Sequence, residues 1–162
     1  MGGGERAGAG RFTLDTNVLV YCVDSAAGPR RKIARRVVEA AVRRDCRLTL
    51  QAVSEFYAAA IRRGTMPRDE AAAQAGDWLD LFPAALAASP GAVRAALAAA
   101  AAGRASYWDA LLLATAAEGG CVVVLTEDMA DGAVLGGVRV VNPFGPDGRL
   151  TATAARLLGL GA

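Results

Sequence analysis

Short apolar runs alternate along this chain with longer segments whose apolar residues recur at helical spacing. Residues 11–14 form a brief apolar run that ends on an acid, which predicts a first strand. Val18, Leu19 and Val20 continue it as a short helix or turn before Gly28 and Pro29 punctuate the chain. Over 30–44, Ile33, Val37 and Ala41 share one helical face and predict an amphipathic helix. A short second strand is expected over 47–50, then a helix over 52–63 that stops at Gly64. Pro67, Asp69 and Glu70 suit the first turn of a helix reaching 79. Residues 81–86 predict a weak third strand, confined to an edge because Pro83 has no N–H to donate. Ser89 and Pro90 cap and open an alanine-rich helix to 102. Ser106 opens another, to 118, that ends at Gly119-Gly120. The β-branched run over 121–125 is of the kind buried on both faces of a sheet. A last strand is expected over 138–141 and a short terminal helix over 151–158.

Strands that alternate with helices imply a parallel sheet covered on both faces, a three-layer α/β/α sandwich. The organisation that follows is a flexible glycine-rich lead over 1–10, one domain over 11–145, and a tail or short helix over 146–162. In such sheets ligands bind beyond the carboxyl ends of the strands. Asp15 and Asp128 each follow a strand, so both are expected at that edge.

Composition narrows the chemistry. An apolar fraction of 54% rules out a disordered chain. No apolar run is long enough to span a bilayer, and the start lacks a signal-peptide core and a myristoylation motif, so a soluble cytoplasmic protein with no membrane partner is expected. Cys22, Cys46 and Cys121 show no metal-binding or disulfide spacing and read as buried thiols. The chain contains 0 histidines, which removes imidazole acid–base chemistry and most zinc sites together. Formal net charge is only +2, but seven of the 18 basic residues fall within 30–44. Arg31, Arg35, Arg36 and Arg43 lie opposite that helix's apolar face. They are either a solvated surface or a nucleic-acid contact, with Arg31, Arg35 and Arg36 as the RNA-binding candidates.

Four acids stand in conspicuous company. Asp15 leaves the first strand within Leu14-Asp15-Thr16-Asn17, where it could also cap a helix. Glu55 sits in an early helical turn, where the dipole alone favours an acid. Asp109 could complete a capping box with Ser106, yet Trp108, Ala110, Leu111, Leu112 and Leu113 surround it with apolar neighbours. Asp128 lies in an acidic loop beside Glu127. Gathered at one edge, four carboxylates would repel, and a hard divalent cation is their natural partner.

These segments resemble the PIN domain family, and most closely its VapC-like ribonuclease toxins. Leu14-Asp15-Thr16-Asn17-Val18-Leu19-Val20-Tyr21 is similar to the family's opening strand and first acid, and Ser54-Glu55-Phe56 to its second. Tyr107-Trp108-Asp109-Ala110-Leu111-Leu112 is similar to its third, Leu125-Thr126-Glu127-Asp128 to its fourth, and Val138-Arg139-Val140-Val141-Asn142-Pro143-Phe144 to its close. The resemblance implies a PIN-like fold and an Mg²⁺- or Mn²⁺-dependent endoribonuclease that acts as a toxin. It also implies an antitoxin protein as partner and a homodimer. Asp15, Glu55, Asp109 and Asp128 become the catalytic, metal-binding acids, and Asn17 and Thr126 the polar groups that support them. Glu127 competes with Asp128 for the fourth place. Two other readings stand beside it: a PIN-like module that binds RNA or a partner without cutting, and a PIN nuclease of RNA processing. A haloacid-dehalogenase-like phosphatase fits poorly, because it needs a second acid where Asn17 stands and a lysine after a later strand, whereas Lys32 is in a predicted helix.

Overall fold

The computed structural model describes residues 10–161. The glycine-rich lead expected over 1–10 therefore lies, Gly10 apart, outside the described residues. The described chain runs β1 (Phe12–Leu14), α1 (Thr16–Val23), α2 (Pro29–Val42), α3 (Leu50–Arg62), α4 (Arg68–Leu81), α5 (Pro90–Ala101), α6 (Tyr107–Glu118), β2 (Val123–Leu125), β3 (Val134–Leu135), β4 (Val138–Val141) and α7 (Ala152–Leu158). The sheet order is β1-β2-β4-β3. β1, β2 and β4 are parallel, and β3 joins β4 antiparallel at the edge.

Side chains alternate across the strands, so each rung of the ladder feeds one helical layer. Leu14, Leu125 and Val141 share a rung and enter the larger core, which is built from α1 to α4 and α7. Val124 and Val140 point the other way and pack with Val138 on Leu112 and Leu113 of α6. α5 then covers α6 through Ala92, Ala96 and Ala99 against Ala110 and Leu111. Small alanines let these two helices approach closely. The result is the expected three-layer sandwich, with three parallel strands and one antiparallel edge.

Local sequence explains most boundaries. Asp15, Thr49, Ser89, Ser106 and Thr151 each occupy an N-cap and accept a backbone N–H in the first helical turn. Two expected strands are absent as ladders. Over 46–49 the chain makes only isolated bridges, Cys46 to Phe12 and Thr49 to Leu86. Thr49 caps α3 through the Ala52 N–H, so the helix begins at Leu50 and ends the extension early. The strand expected over 81–86 shrinks to Leu86, because Leu81 still belongs to α4 and Pro83 offers no donor. β3 is an addition that the alternation did not suggest. Gly136 and Gly137, both at positive φ, turn it back into β4, as a two-residue hairpin requires.

Candidate active site

The carboxyl ends of β1 and β2 open onto a cleft of about 630 Å³. Asp15, Glu55, Asp109 and Asp128 all line it, with Asn17, Gln51, Arg62, Arg63 and Trp108 among the other walls. Each acid arrives by a different route. Asp15 ends β1 and its N–H continues the ladder to Leu125 O at 3.0 Å. Glu55 comes from the second turn of α3, Asp109 from the first turn of α6, and Asp128 from the loop after β2.

Asp15 is the buried member, 7% exposed. Its Oδ1 accepts the Thr16 N–H at 2.7 Å and its Oδ2 accepts the Thr126 hydroxyl at 2.8 Å. No ion pair neutralises it among the described residues. Burial raises its pKa from 3.8 to about 6; the two hydrogen bonds oppose this, and the Asp128 and Asp109 charges reinforce it.

Thr126, fully buried after β2, organises the centre. Its Oγ1 donates to Asp15 and accepts from Asn17 Nδ2 at 2.9 Å and from the Asp128 N–H at 3.1 Å. One donation and two acceptances exhaust what a hydroxyl can do. Asn17 spends its second amide hydrogen on Asp128 Oδ2 at 3.0 Å, which fixes the amide's orientation because an ionised carboxylate only accepts. Its Oδ1 is buried without a donor. Glu55 accepts from Gln51 Nε2 at 2.8 Å and more weakly from the Thr16 hydroxyl at 3.3 Å. The Ser106 hydroxyl caps the Asp109 N–H at 3.1 Å, but the Asp109 carboxylate returns no hydrogen bond among the described residues. Half of a capping box is built, and the acid stays free for the cleft.

Glu127 points elsewhere. It accepts from the Tyr21 hydroxyl and pairs with Arg30 Nε at 2.9 Å, outside the cleft. Burial first, then the Glu127 hydrogen bond, push the Tyr21 phenol up to about 12. Of the two adjacent acids, only Asp128 lines the cleft.

The PIN domain family model matches residues 12–130. The chain belongs to this family. A crystal structure of VapBC2 from Rickettsia felis bound to a DNA fragment from their promoter contains a similar fold, at TM-score 0.57 and 10% identity, covering 81% of this chain and 97% of that one. No curated protein matches the sequence. PIN domains are in general nucleases.

The cleft of this PIN domain also contains groups that the sequence pattern did not single out. Gln51, Glu55, Ala58 and Arg62 lie at helical spacing on one face of α3, and that periodicity was the available signal. Trp108, expected among buried neighbours, is 60% exposed and lines the mouth instead. Arg31, Arg35 and Arg36 do not line the cleft. Arg35 Nε donates to Cys22 O at 3.2 Å, and Arg36 faces a separate depression with Lys32 and Arg149. Among the described residues no helix is long and apolar enough to cross a membrane.

Whether these residues suit a divalent ion can be judged from their chemistry. The donors are all oxygen, which hard cations prefer. Asp15 holds a buried charge with no basic partner, and Asn17 holds a buried acceptor with no donor. Among the described residues, though, no three acids are already spaced as a ligand set. Repulsion favours that separation, and Asn17 and Gln51 hold Asp128 and Glu55 at their present positions. The chemistry of the donor set suits a hard cation, while its present spacing does not. Drawing it together takes movement of side chains that, Asp15 apart, are only partly buried or exposed.

Proposed function

We propose that this protein is an Mg²⁺- or Mn²⁺-dependent endoribonuclease, the toxin of a toxin–antitoxin pair. In this reading it acts in the cytoplasm, forms a homodimer and is restrained by an antitoxin protein. The observation that carries the reading is the convergence of four carboxylates on one cleft at the carboxyl edge of the parallel strands, with the most buried of them short of a counter-charge. Three free, buried cysteines suit a reducing compartment. The DNA-bound VapBC2 complex supports a toxin–antitoxin context by likeness of fold.

Asp15, Glu55, Asp109 and Asp128 are the residues that would hold the ion. When bound, a divalent ion supplies an acidified water for attack and offsets the charge that builds on the phosphate. Thr126 and Asn17 hold Asp15 and Asp128 in orientation. Arg62 and Arg63, on the wall of the same cleft, are placed to contact phosphate oxygens. With no histidine in the chain, proton transfers fall to carboxylates and water.

Purified protein is expected to cut RNA with Mg²⁺ or Mn²⁺ and to stop in EDTA. Cleavage that survives complete chelation overturns the metal-dependent reading. Manganese binding by calorimetry, with no cleavage across a broad RNA panel, would instead identify a binding module.

The choice between the adjacent acids has its own test. Glu127→Gln is expected to keep cleavage within about threefold of wild type and to cost on the order of 1 kcal/mol of stability, because its partner Arg30 is half exposed although Glu127 itself is mostly buried. Asp128→Asn is expected to lose most activity. Equal losses in both variants, read from initial rates, would refute the assignment of Asp128.

A further inference from the structure

Trp108 sits on the first turn of α6, immediately before Asp109. The rest of that turn and the next bury Ala110, Leu111, Leu112 and Leu113, while the largest side chain stays 60% exposed. A single exposed apolar residue is ordinary. This one lines the carboxylate cleft, and it is held there. Its backbone carbonyl accepts from Gln51 Nε2 at 2.9 Å, and Gln51 also binds Glu55, which ties the ring's anchor to one of the acids. Its ring meets Tyr107 edge to face at 5.0 Å between centroids, and Tyr107 packs on the α5–α6 core. The indole is thus an aromatic surface braced from behind and open toward the cleft.

The cleft it lines carries the polar and charged side chains of Gln51, Glu55, Arg62, Arg63 and Asp109 among apolar ones such as Val20 and Leu111. A flat π-face beside cationic side chains is the combination that single-stranded nucleic acid requires, with bases stacking and phosphates following the charge. Trp108 and Asp109 both line the cleft, so a base stacked on the one lies in the same cleft as the acid.

We propose that Trp108 is a stacking platform that holds one unpaired nucleobase of the RNA next to the carboxylates. The proposal rests on the cleft being the site of RNA cleavage, and it narrows the substrate to RNA that is single-stranded at the cut. Stacking is blind to base identity, so Trp108 would select for an unpaired base and not for a particular sequence.

The test measures binding without turnover. A fluorescein-labelled single-stranded oligoribonucleotide of mixed sequence is titrated in EDTA against wild type, Trp108→Ala and Trp108→Phe. Trp108→Ala is expected to weaken binding about 5- to 100-fold, and Trp108→Phe to stay within about threefold of wild type. Against the same oligonucleotide made abasic, the alanine variant should bind as wild type does, since the base it lacks is already gone. RNA should also quench tryptophan emission in wild type but not in Trp108→Phe, because the other tryptophan, Trp78, is buried. Unchanged affinity in Trp108→Ala, or an equal loss on the abasic strand, overturns the platform while leaving the nuclease reading intact. A change of sedimentation in Trp108→Ala with RNA affinity unaffected assigns the ring to a protein interface and overturns it too. Wild type that neither binds nor cuts RNA defeats both proposals.

Discussion

Asp15→Asn is expected to abolish RNA cleavage, by at least about a thousandfold or some 4 kcal/mol of barrier, while the protein stays folded. The loss follows from removing the most buried charge in the ligand set. The stability of this variant carries a second signature. Asp15 has its carboxyl raised from 3.8 to about 6 in the folded protein, chiefly by burial. A raised carboxyl stabilises the fold below its unfolded pKa, and that contribution drains away as pH climbs through the folded value. Wild type should therefore lose up to about 3 kcal/mol between pH 4 and 6 from this group alone. Asparagine does not titrate. Its amide cannot accept from both the Thr16 N–H and the Thr126 hydroxyl, which costs about 1–3 kcal/mol at every pH. The difference in unfolding free energy between variant and wild type should thus move in favour of the variant from pH 4 to 6 and level off above. Urea melts at several pH values measure it, and a difference that stays flat would show that the burial of Asp15 is not felt as a charge. Added Mn²⁺ should raise the melting temperature of wild type and not of Asp15→Asn.

Thr126→Val keeps the shape of a buried side chain and removes its hydroxyl. Three hydrogen bonds disappear together: the one to Asp15 and those from Asn17 Nδ2 and the Asp128 N–H. Polar groups left unsatisfied in the interior cost about 1–3 kcal/mol each, and partial rescue by water brings the expected total to about 3–5 kcal/mol. The catalytic effect differs from a simple loss of fold. The Thr126 hydrogen bond is the larger of the two that restrain the Asp15 pKa, so its removal should push that carboxyl above 6. At limiting Mn²⁺, cleavage that needs Asp15 to ionise before it takes the ion rises with pH up to about 6 in wild type, and that limit should move to higher pH in the variant. Thr126→Ser, which keeps the hydroxyl, should restore both stability and pH profile. A valine variant with an unshifted profile would show that Thr126 acts only in packing.

Much of the architecture was legible in the order of residues. Short apolar, β-branched runs marked β1, β2 and β4, and side-chain caps at Ser89, Ser106 and Thr151 marked helix starts to within a residue or two. These signals are local, made by residues a few positions apart. The strands expected over 47–50 and 81–86 do not form ladders, for the converse reason. A ladder needs partners from distant sequence, and the chain leaves those positions after one bridge each. The Gly136-Gly137 pair, both at positive φ, is the local signal for the hairpin that the alternation of strands and helices does not show.

The site divides in the same way. The sequence by itself determined that Asp15 and Asp128 leave strands at one edge, that Asp109 lies on a first helical turn, and that no imidazole can take part. Tertiary structure alone decided that Glu55 and Asp109 face the same cleft, and that Glu127 turns away to Arg30 and Tyr21. It also decided that Arg62, Arg63 and Trp108, rather than the basic face of α2, surround the carboxylates. Helix periodicity says which residues share a face but not what that face meets. The meeting is set by how α3 and α6 pack against the β1–β2 edge, through contacts between residues tens of positions apart.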